Sequence, residues 1–446
     1  MTNVCVVGLG RIGLPLALVL AKANHQVYGV DTNPTVVSKI RSIHGCSDSI
    51  KENELLEEYL EKRFFVTDSL EEGLKKAEIV FIAIGTSISS NGNPDLFTLF
   101  VLIDYICNIA NSVKGKLFVL KSTLPVGTTR QIAHLLESRS GLLCGRDFYF
   151  AFCPERVLGD KAISEMESLP KIIGGMDPES TKRAVNIYET IGGKVVVMES
   201  PEAAELVKLL DNSYRQTIFA FSNDFALLAE RYGLNALKII NAANESYPRN
   251  NIPMPSAGVS GYCLTKDPLY LEMSFKEIAA KRGFSSIWYY GRKTNDYMPI
   301  HVINRVAEHL EQAGKTLKES TILICGLTYK ENTNDVRNSH GIEIAHLLQE
   351  KGSQVIAWDP HILDTITGIQ LVSKPDEILE TLDAIIFVVK HDEFIKLNKD
   401  CTILQMVRKM RLPIIFDGWG IFDTLNKVEN IHYFGIGIPS KTLRDS

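Results

Sequence analysis

Three glycines in six residues, Gly8-Leu9-Gly10-Arg11-Ile12-Gly13, stand between a β-rich run, Asn3–Val7, and an apolar helical run, Gly13–Lys22. Glycines at this spacing let the chain turn tightly, let its backbone approach a pyrophosphate and let helix and strand pack closely. The helix N-terminus then meets the phosphate charge. The next β-rich run, Gln26–Val30, leads into Asp31, whose carboxylate would accept hydrogen bonds from a ribose diol and repel a 2′-phosphate. Strand, glycine turn, helix, strand and acid in that order predict a Rossmann-like unit that takes NAD rather than NADP. Gly8, Gly10, Ile12, Gly13 and Asp31 are its cofactor-binding residues. Arg11 either adds charge to a phosphate or lies solvated.

That rhythm continues with β-rich runs at 79–83, 117–121 and 148–152, separated by helical stretches, which is the pattern of a parallel sheet covered on both faces. The texture changes near Ser200. Ser200-Pro201-Glu202 reads as a helix start with a capping hydroxyl, proline in the first turn and an acid at the positive end. From Ala203 to Tyr232 no proline or glycine intervenes. Apolar residues recur there every three or four positions, at Ala203, Val207, Leu210, Tyr214, Ile218, Phe221, Phe225 and Leu228. Leu206, Leu209, Phe219 and Leu227 add apolar surface on other sides, so this helix reads as a spine and a dimer interface. In the last third, a strand at 321–326, a helix at 341–351, a strand at 354–359 ending in an acid and a strand at 382–389 repeat the opening order. The glycine fingerprint does not recur there, because Gly326 is followed by Leu327-Thr328-Tyr329-Lys330. The fold class expected is α/β, with two Rossmann-like, doubly wound parallel-sheet domains joined by a central helical dimerisation domain. Residues 1–198 form the NAD domain, 199–300 the central domain and 301–446 the second Rossmann-like domain.

A chain of 446 residues exceeds one ordinary core. A net charge of -5 gives no basic field for nucleic acid. No apolar run reaches membrane-spanning length, and the start of the sequence lacks a basic flank and cleavage site. Eight cysteines (Cys5, Cys46, Cys107, Cys144, Cys153, Cys263, Cys325 and Cys401) form no CxxC pair and no zinc spacing with histidine. Cys5 and Cys325 read as buried small hydrophobes, and Cys153 as structural. A cytoplasmic protein with reduced thiols and no metal is expected.

Cys263 stands apart. It closes the run Pro253-Met254-Pro255-Ser256-Ala257-Gly258-Val259-Ser260-Gly261-Tyr262, ahead of Lys266 and of Asp267-Pro268, which reads as a helix N-cap and first turn. A thiol near a helix N-terminus and a lysine favours its thiolate. NAD takes a hydride from an alcohol without a thiol; a thiol becomes useful when the aldehyde is held and oxidised again. An alcohol carried through to a carboxylate is the chemistry this pairing predicts. Three further motifs are weaker. Lys121-Ser122-Thr123 through Thr129 reads from spacing alone as an ordinary strand-to-helix turn. Glu155 either activates water or pairs with Arg156. Glu205, Lys208 and Asn212 share a helix face, which gives either a surface ion pair or a lysine and amide that hold an oxyanion.

Together, GLGRIGLPLA from Gly8, STLPVGTT from Ser122, FCPER from Phe152, EAAELVKLLDN from Glu202, GYCLTKDP from Gly261 and GLTYKENTNDVRNS from Gly326 resemble the nucleotide-sugar 6-dehydrogenase family. That family takes in the UDP-glucose, GDP-mannose and UDP-N-acetylhexosamine enzymes. The resemblance implies a homodimer or higher oligomer acting on a UDP-sugar, with 301–446 as the nucleotide-sugar (UDP)-binding domain. It assigns Cys263 the covalent adduct, Lys208 and Asn212 the oxyanion, Glu155 and Asp267 the base and water-holding roles, and Thr123 the orientation of water. Thr86, Thr123 and Arg337 would lie at the cofactor. Lys330, Arg156, Gly258, Gly261 and Tyr262 would lie at the substrate. Tyr247-Pro248-Arg249-Asn250-Asn251-Ile252 is similar to the HPRVNI segment of the UDP-N-acetylglucosamine and UDP-N-acetylmannosamine enzymes, where the arginine reaches substrate across the dimer. With FCPER, it points to that branch, with Arg249 and Asn251 as substrate residues.

The chain departs from the family pattern in three places. Ser256, Ala257 and Ser260 replace Gly, Pro and Gly of PGPGVGG, Tyr262 stands where His or Ser precedes the cysteine, and Asp417-Gly418-Trp419 replaces Asp-x-Arg. Three other readings remain open on sequence: a UDP-glucose enzyme, a single-step dehydrogenase of the 6-phosphogluconate or 3-hydroxyacid type, and a non-catalytic nucleotide-sugar-binding protein.

Overall fold

The computed structural model describes residues 1–43, 49–89, 92–109, 113–157, 159–362 and 364–440; Cys46 lies outside them. The chain divides into two compact units, Met1–Asp211 with Leu269–Phe275, and Asn212–Pro268 with Lys276–Ser446. The first cut falls inside the helix Pro201–Arg231, and the helix Ile287–Gln312 continues through residue 300.

The first unit is built on β1 (Asn3–Val7), β2 (Gln26–Val30), β3 (Phe64–Thr67) and β4 (Ile79–Ile82). A small antiparallel pair, β5 (Ser87–Ile88) and β6 (Pro94–Asp95), intervenes before β7 (Leu117–Leu120), β8 (Tyr149–Phe152), β9 (Lys171–Gly175) and β10 (Val195–Val197). The large sheet runs β10-β9-β8-β7-β4-β1-β2-β3. Its pairs are parallel, except that β8 meets β9 antiparallel at Ala151 and Gly175. The sheet expected to be parallel throughout thus reverses once, toward one edge, as many doubly wound sheets do.

Strands covered on both faces are continuous apolar runs, and β7 and β8 are buried along their whole length. Alternation along β1 divides the core: Val4 and Val6 pack into one cluster and Cys5 and Val7 into the other. Cys5 is therefore the small core residue expected. Burial pushes its thiol up to about 12, against the opposing charge of Lys116.

The second unit repeats the plan with β11 (Thr321–Cys325), β12 (Gln354–Trp358), β13 (Gln370–Leu371), β14 (Ala384–Phe387), β15 (Ile414–Asp417) and β16 (His432–Gly435). They run β13-β12-β11-β14-β15-β16, all parallel. In both sheets the first strand is central and the chain winds outward to each side, which leaves a crevice at the C-terminal ends of the strands.

The glycine constraint recurs as well. A Cβ at Gly13 would lie 1.7 Å from the Gly8 carbonyl oxygen, and one at Gly341 would lie 2.2 Å from that of Gly326. The second pair is split by the loop 327–339, so this one close contact recurs in space although the glycine fingerprint itself does not.

The helix Pro201–Arg231 starts as expected, with Ser200 Oγ accepting the Ala203 N–H at 3.3 Å and Pro201 in the first turn. Leu206, Leu210, Tyr214, Phe221 and Leu228 are exposed along it. Among the described residues no helix is long and apolar enough to cross a membrane.

Candidate active site

The cofactor crevice of the first unit is set by the glycine turn. Gly8 has φ 89°, a conformation that side chains disfavour, and its N–H donates to the Val30 carbonyl at 2.8 Å. Asp31 orders the turn from the next strand, accepting Leu9 N–H at 2.9 Å on one oxygen and Asn33 N–H at 2.9 Å on the other. The helix Gly13–Lys22 has no side-chain cap and no acid in its first turn, so its leading N–H groups suit an anion. A Cβ at Gly10 would meet nothing within 4 Å, which gives a phosphate room to approach the backbone. These features fit an NAD pyrophosphate. Arg11 is exposed at the rim. Thr86 Oγ1 donates to the Thr123 carbonyl at 2.7 Å and Ser122 Oγ to the Ile84 carbonyl at 2.6 Å, drawing the ends of β4 and β7 together.

The strand end that spacing marked as an ordinary turn carries a buried cation. Lys121 follows the apolar β7 and lies 3.1 Å from Glu155 Oε2 and 3.1 Å from the Tyr188 hydroxyl, with Cys153 Sγ at 4.0 Å. Only 1% of the Lys121 side chain and 15% of the Glu155 side chain are exposed. Burial alone would raise the Glu155 carboxyl. The charge of Lys121, the Arg156 N–H at 2.8 Å and the charge of Lys208 overcome it and hold the carboxyl below its ordinary range. Lys121 is likewise held charged: burial opposes its charge, and the Glu155 carboxylate restores it. The alternative pairing of Glu155 with the Arg156 guanidinium is not formed. Arg156 donates instead to Asp211 at 3.1 Å and to the Pro170 carbonyl at 3.1 Å. Cys153 is fully buried and its thiol is pushed up by burial, as a structural cysteine requires. The missed signal was a lone charge ending an all-apolar strand.

Glu205 corrects the surface-pair reading. It is fully buried and accepts from Gly127 N–H at 2.6 Å, Thr129 N–H at 2.9 Å and Thr129 Oγ1 at 2.6 Å, capping the helix Thr128–Ser140. Burial pushes its carboxyl up, against those bonds. Lys208, half-buried, directs its charge to Glu155 instead. That helix start arrives from elsewhere in the chain, so nothing near Glu205 in sequence announces it.

In the second unit Cys263 is exposed in the first turn of the helix Tyr262–Arg282. The helix was expected to begin at Asp267; it begins at Tyr262, after Gly261 at φ 87°, with Pro268 inside. Gly261 supplies the turn that the Asp-Pro signal had been credited with. Asp267 is therefore not a cap. It is completely buried, accepting Asn212 Nδ2 at 2.6 Å, with Lys266 Nζ at 3.1 Å from its other oxygen without hydrogen-bond alignment. The thiol thus stands where the aligned N–H groups of a helix favour an anion.

Around it, the Tyr262 ring has the Arg337 guanidinium 5.1 Å and Lys266 Nζ 5.7 Å from its centre, and Arg337 is gripped by Asp335 at 2.9–3.2 Å. Polar side chains hold the loop before Cys263. Ser256 N–H donates to Asn223 Oδ1 at 2.8 Å, and buried Arg292 donates to the Val259 carbonyl at 2.9 Å. Gly258 packs so closely on the Asn295 carbonyl that a Cβ would lie 2.3 Å from it; Pro299, four residues on, has no N–H for that oxygen. Lys330 Nζ stands 5.9 Å from the Tyr329 ring centre. Arg249 and Asn251 are exposed, and Arg249 Nε donates to the Tyr247 hydroxyl at 2.8 Å.

Asp359, the counterpart of Asp31, is buried and spent internally. It accepts Leu327 N–H at 2.6 Å and Thr328 N–H at 3.3 Å. Burial would raise it, and His391 with these N–H groups brings it below the carboxylate range. His361, His391 and Glu393 converge here, but His391 Nδ1 accepts Asn332 N–H at 3.0 Å. Its Nε2 therefore carries the proton, 3.2 Å from Asp359, and the ring has no lone pair left for a metal. Asp417 is fully buried and accepts Trp419 N–H, Phe422 N–H and the Tyr433 hydroxyl. Trp419 Nε1 donates to the Val388 carbonyl at 2.8 Å, which anchors the departure from Asp-x-Arg inside the fold.

A dinucleotide crevice in one unit and a second Rossmann-like sheet beside an exposed helix-start cysteine in the other define an NAD-dependent oxidoreductase. The chain matches the NAD-binding domain of the UDP-glucose/GDP-mannose dehydrogenase family over residues 2–192, its central domain over 202–297 and its UDP-binding domain over 323–424. It is 34% identical over 373 residues to UDP-N-acetyl-D-mannosamine dehydrogenase of Pyrococcus horikoshii, covering 83% of this chain and 86% of that protein. It is 32% identical over 371 residues to NDP-N-acetyl-D-galactosaminuronic acid dehydrogenase of Ralstonia nicotianae, covering 81% and 83%. The solved structure of the Pyrococcus horikoshii UDP-D-ManNAc dehydrogenase superposes with a TM-score of 0.88 at 32% identity, covering 97% of this chain and 99% of that one. The chain belongs to the UDP-glucose/GDP-mannose dehydrogenase family and is an NAD-dependent nucleotide-sugar dehydrogenase.

Proposed function

We propose that the chain oxidises the C6 hydroxyl of a UDP-N-acetylhexosamine, of the gluco or manno series, to the uronic acid for surface polysaccharide precursors. The observation that carries this reading is Cys263, exposed in the first turn of its helix. NAD, when bound, supplies the hydride acceptor in both oxidations. Lys208 and Asn212 hold the oxyanion that develops at C6 once the hydroxyl proton passes to water or a nearby base. The Cys263 thiolate adds to the aldehyde carbonyl to give a thiohemiacetal, whose loss of a second hydride equivalent leaves a thioester. Water, oriented by Thr123 and held by Glu155 and Asp267, cleaves it, returning the thiol and releasing carboxylate. Lys330 is the proposed contact of the nucleotide, and Arg337 a proposed contact of the cofactor.

The exposed apolar residues of the helix Pro201–Arg231 are the surface of a homodimer, from which Arg249 reaches the partner's substrate. The described cysteines are all free thiols, in keeping with a cytoplasmic enzyme. Preference for an N-acetylated sugar is supported by the Tyr247–Ile252 segment, the FCPER motif and the N-acetyl sugars in the relatives' names. Steady-state kcat/KM on UDP-glucose, UDP-N-acetylglucosamine and UDP-N-acetylmannosamine is expected to favour one acetylated sugar at least about tenfold. A preference for UDP-glucose would reject this assignment.

A further inference from the structure

The turn before Cys263 differs from the family pattern at Ser260, and the structure gives that hydroxyl a definite partner. Ser260 Oγ donates to the Tyr329 carbonyl at 2.9 Å, one residue from Lys330. Next in line, Gly261 N–H donates to the Asn338 carbonyl at 3.1 Å. Asn338 Nδ2 reaches back 3.2 Å to Thr265 Oγ1, and the Thr265 hydroxyl donates to the Gly261 carbonyl at 2.7 Å. The loop 327–339 is thus fastened to the cysteine turn near both of its ends. The Tyr329 ring fills the place a side chain would take at Gly261, where a Cβ would lie 2.5 Å from Cδ2. Arg337, from the same loop, covers the Tyr262 ring.

A displacement of Tyr329 is therefore passed to Gly261 through packing and to Ser260 through a hydrogen bond, and Cys263 follows within one helical turn. A glycine at position 260 keeps the packing and the backbone bond and loses the side-chain bond. We propose that Ser260 is a positioning residue that couples occupancy of the nucleotide loop at Lys330 to the presentation of the Cys263 thiol. This rests on the proposed reading that Lys330 contacts the nucleotide and Cys263 the sugar.

The test uses UDP as the probe and the full-length chain. The alkylation rate of Cys263 by iodoacetamide is followed by site-resolved mass spectrometry, which separates it from exposed Cys401, with and without saturating UDP. UDP affinity is measured by calorimetry. In the unaltered chain UDP is expected to change the Cys263 rate about fivefold or more, the low end of ordinary coupling between sites. In Ser260→Ala and Ser260→Gly the change should shrink below about twofold while UDP affinity stays within about threefold, since one hydroxyl bond is lost. Ser260→Thr, which keeps the hydroxyl, should retain the change. A UDP effect that persists in Ser260→Ala is direct shielding and overturns the inference, as does an unaltered chain that binds UDP without any change at Cys263. A parallel fall in UDP affinity would make Ser260 part of the nucleotide site and also overturn it. Failure of the unaltered chain to bind UDP overturns this inference together with the nucleotide-sugar reading.

Discussion

Replacing Cys263 by serine is expected to lower uronate formation by about three orders of magnitude, because the hydroxyl is a far weaker nucleophile than a thiolate at neutral pH. The residue is exposed at a helix start, so the exchange removes no buried packing. Its effect on unfolding is expected within about 0.5 kcal/mol, the range of ordinary surface substitutions. NAD binding depends on the Gly8–Gly13 turn and Asp31 and should be unchanged. Product analysis by mass spectrometry, with calorimetric NAD titration and thermal unfolding alongside, separates lost chemistry from lost fold. Uronate produced at an undiminished rate would remove the covalent step.

The second large effect is expected at Lys121. Lys121→Met leaves Glu155 in a nearly dry site without its main counter-charge. Removing one partner of a buried pair costs about 3–5 kcal/mol, and the partial exposure of Glu155 places the expected loss at about 3 kcal/mol. The sign of the pH dependence follows from the direction of the shift. In the unaltered protein the Glu155 carboxyl is depressed, so its contribution is present above the ordinary carboxylate range and lost as pH falls through the lowered value. Without Lys121, burial dominates, the carboxyl rises, and that contribution is absent or reversed. The acid limb of the kcat–pH profile should therefore move toward neutrality in Lys121→Met and return in Lys121→Arg. Equilibrium unfolding at several pH values, together with that profile, checks both halves. An acid limb that does not move would mean that Glu155 takes no part in the rate-limiting step.

Local constraints were legible in the sequence. The turn at Gly8 and the cap at Ser200 act within a few residues, and the acid at Asp31 stands at a fixed place one strand on, so their residue types carry the geometry. Glu205 and Lys121 were opaque because their partners come from distant segments: a helix start at Gly127, and a carboxylate and phenol at Glu155 and Tyr188. The Asp267 misreading has another origin. Aspartate before proline is a fair helix-start signal, but the positive φ at Gly261 had already started the helix, and the aspartate was needed inside it to meet Asn212. The second glycine pair, Gly326 and Gly341, escaped notice because a pattern of fixed spacing cannot see a close contact across an intervening loop. At Ser260 the departure itself was visible, and only the Tyr329 carbonyl explains it.

On the proposed mechanism, one thiol carries an aldehyde into a second oxidation before product leaves. Counting NADH formed per uronate released, with limiting UDP-sugar and excess NAD, tests it most directly. Two NADH per uronate, with no free aldehyde found among the products, is the expected result. One NADH per sugar consumed, with an aldehyde or ketone as the final product, would contradict it.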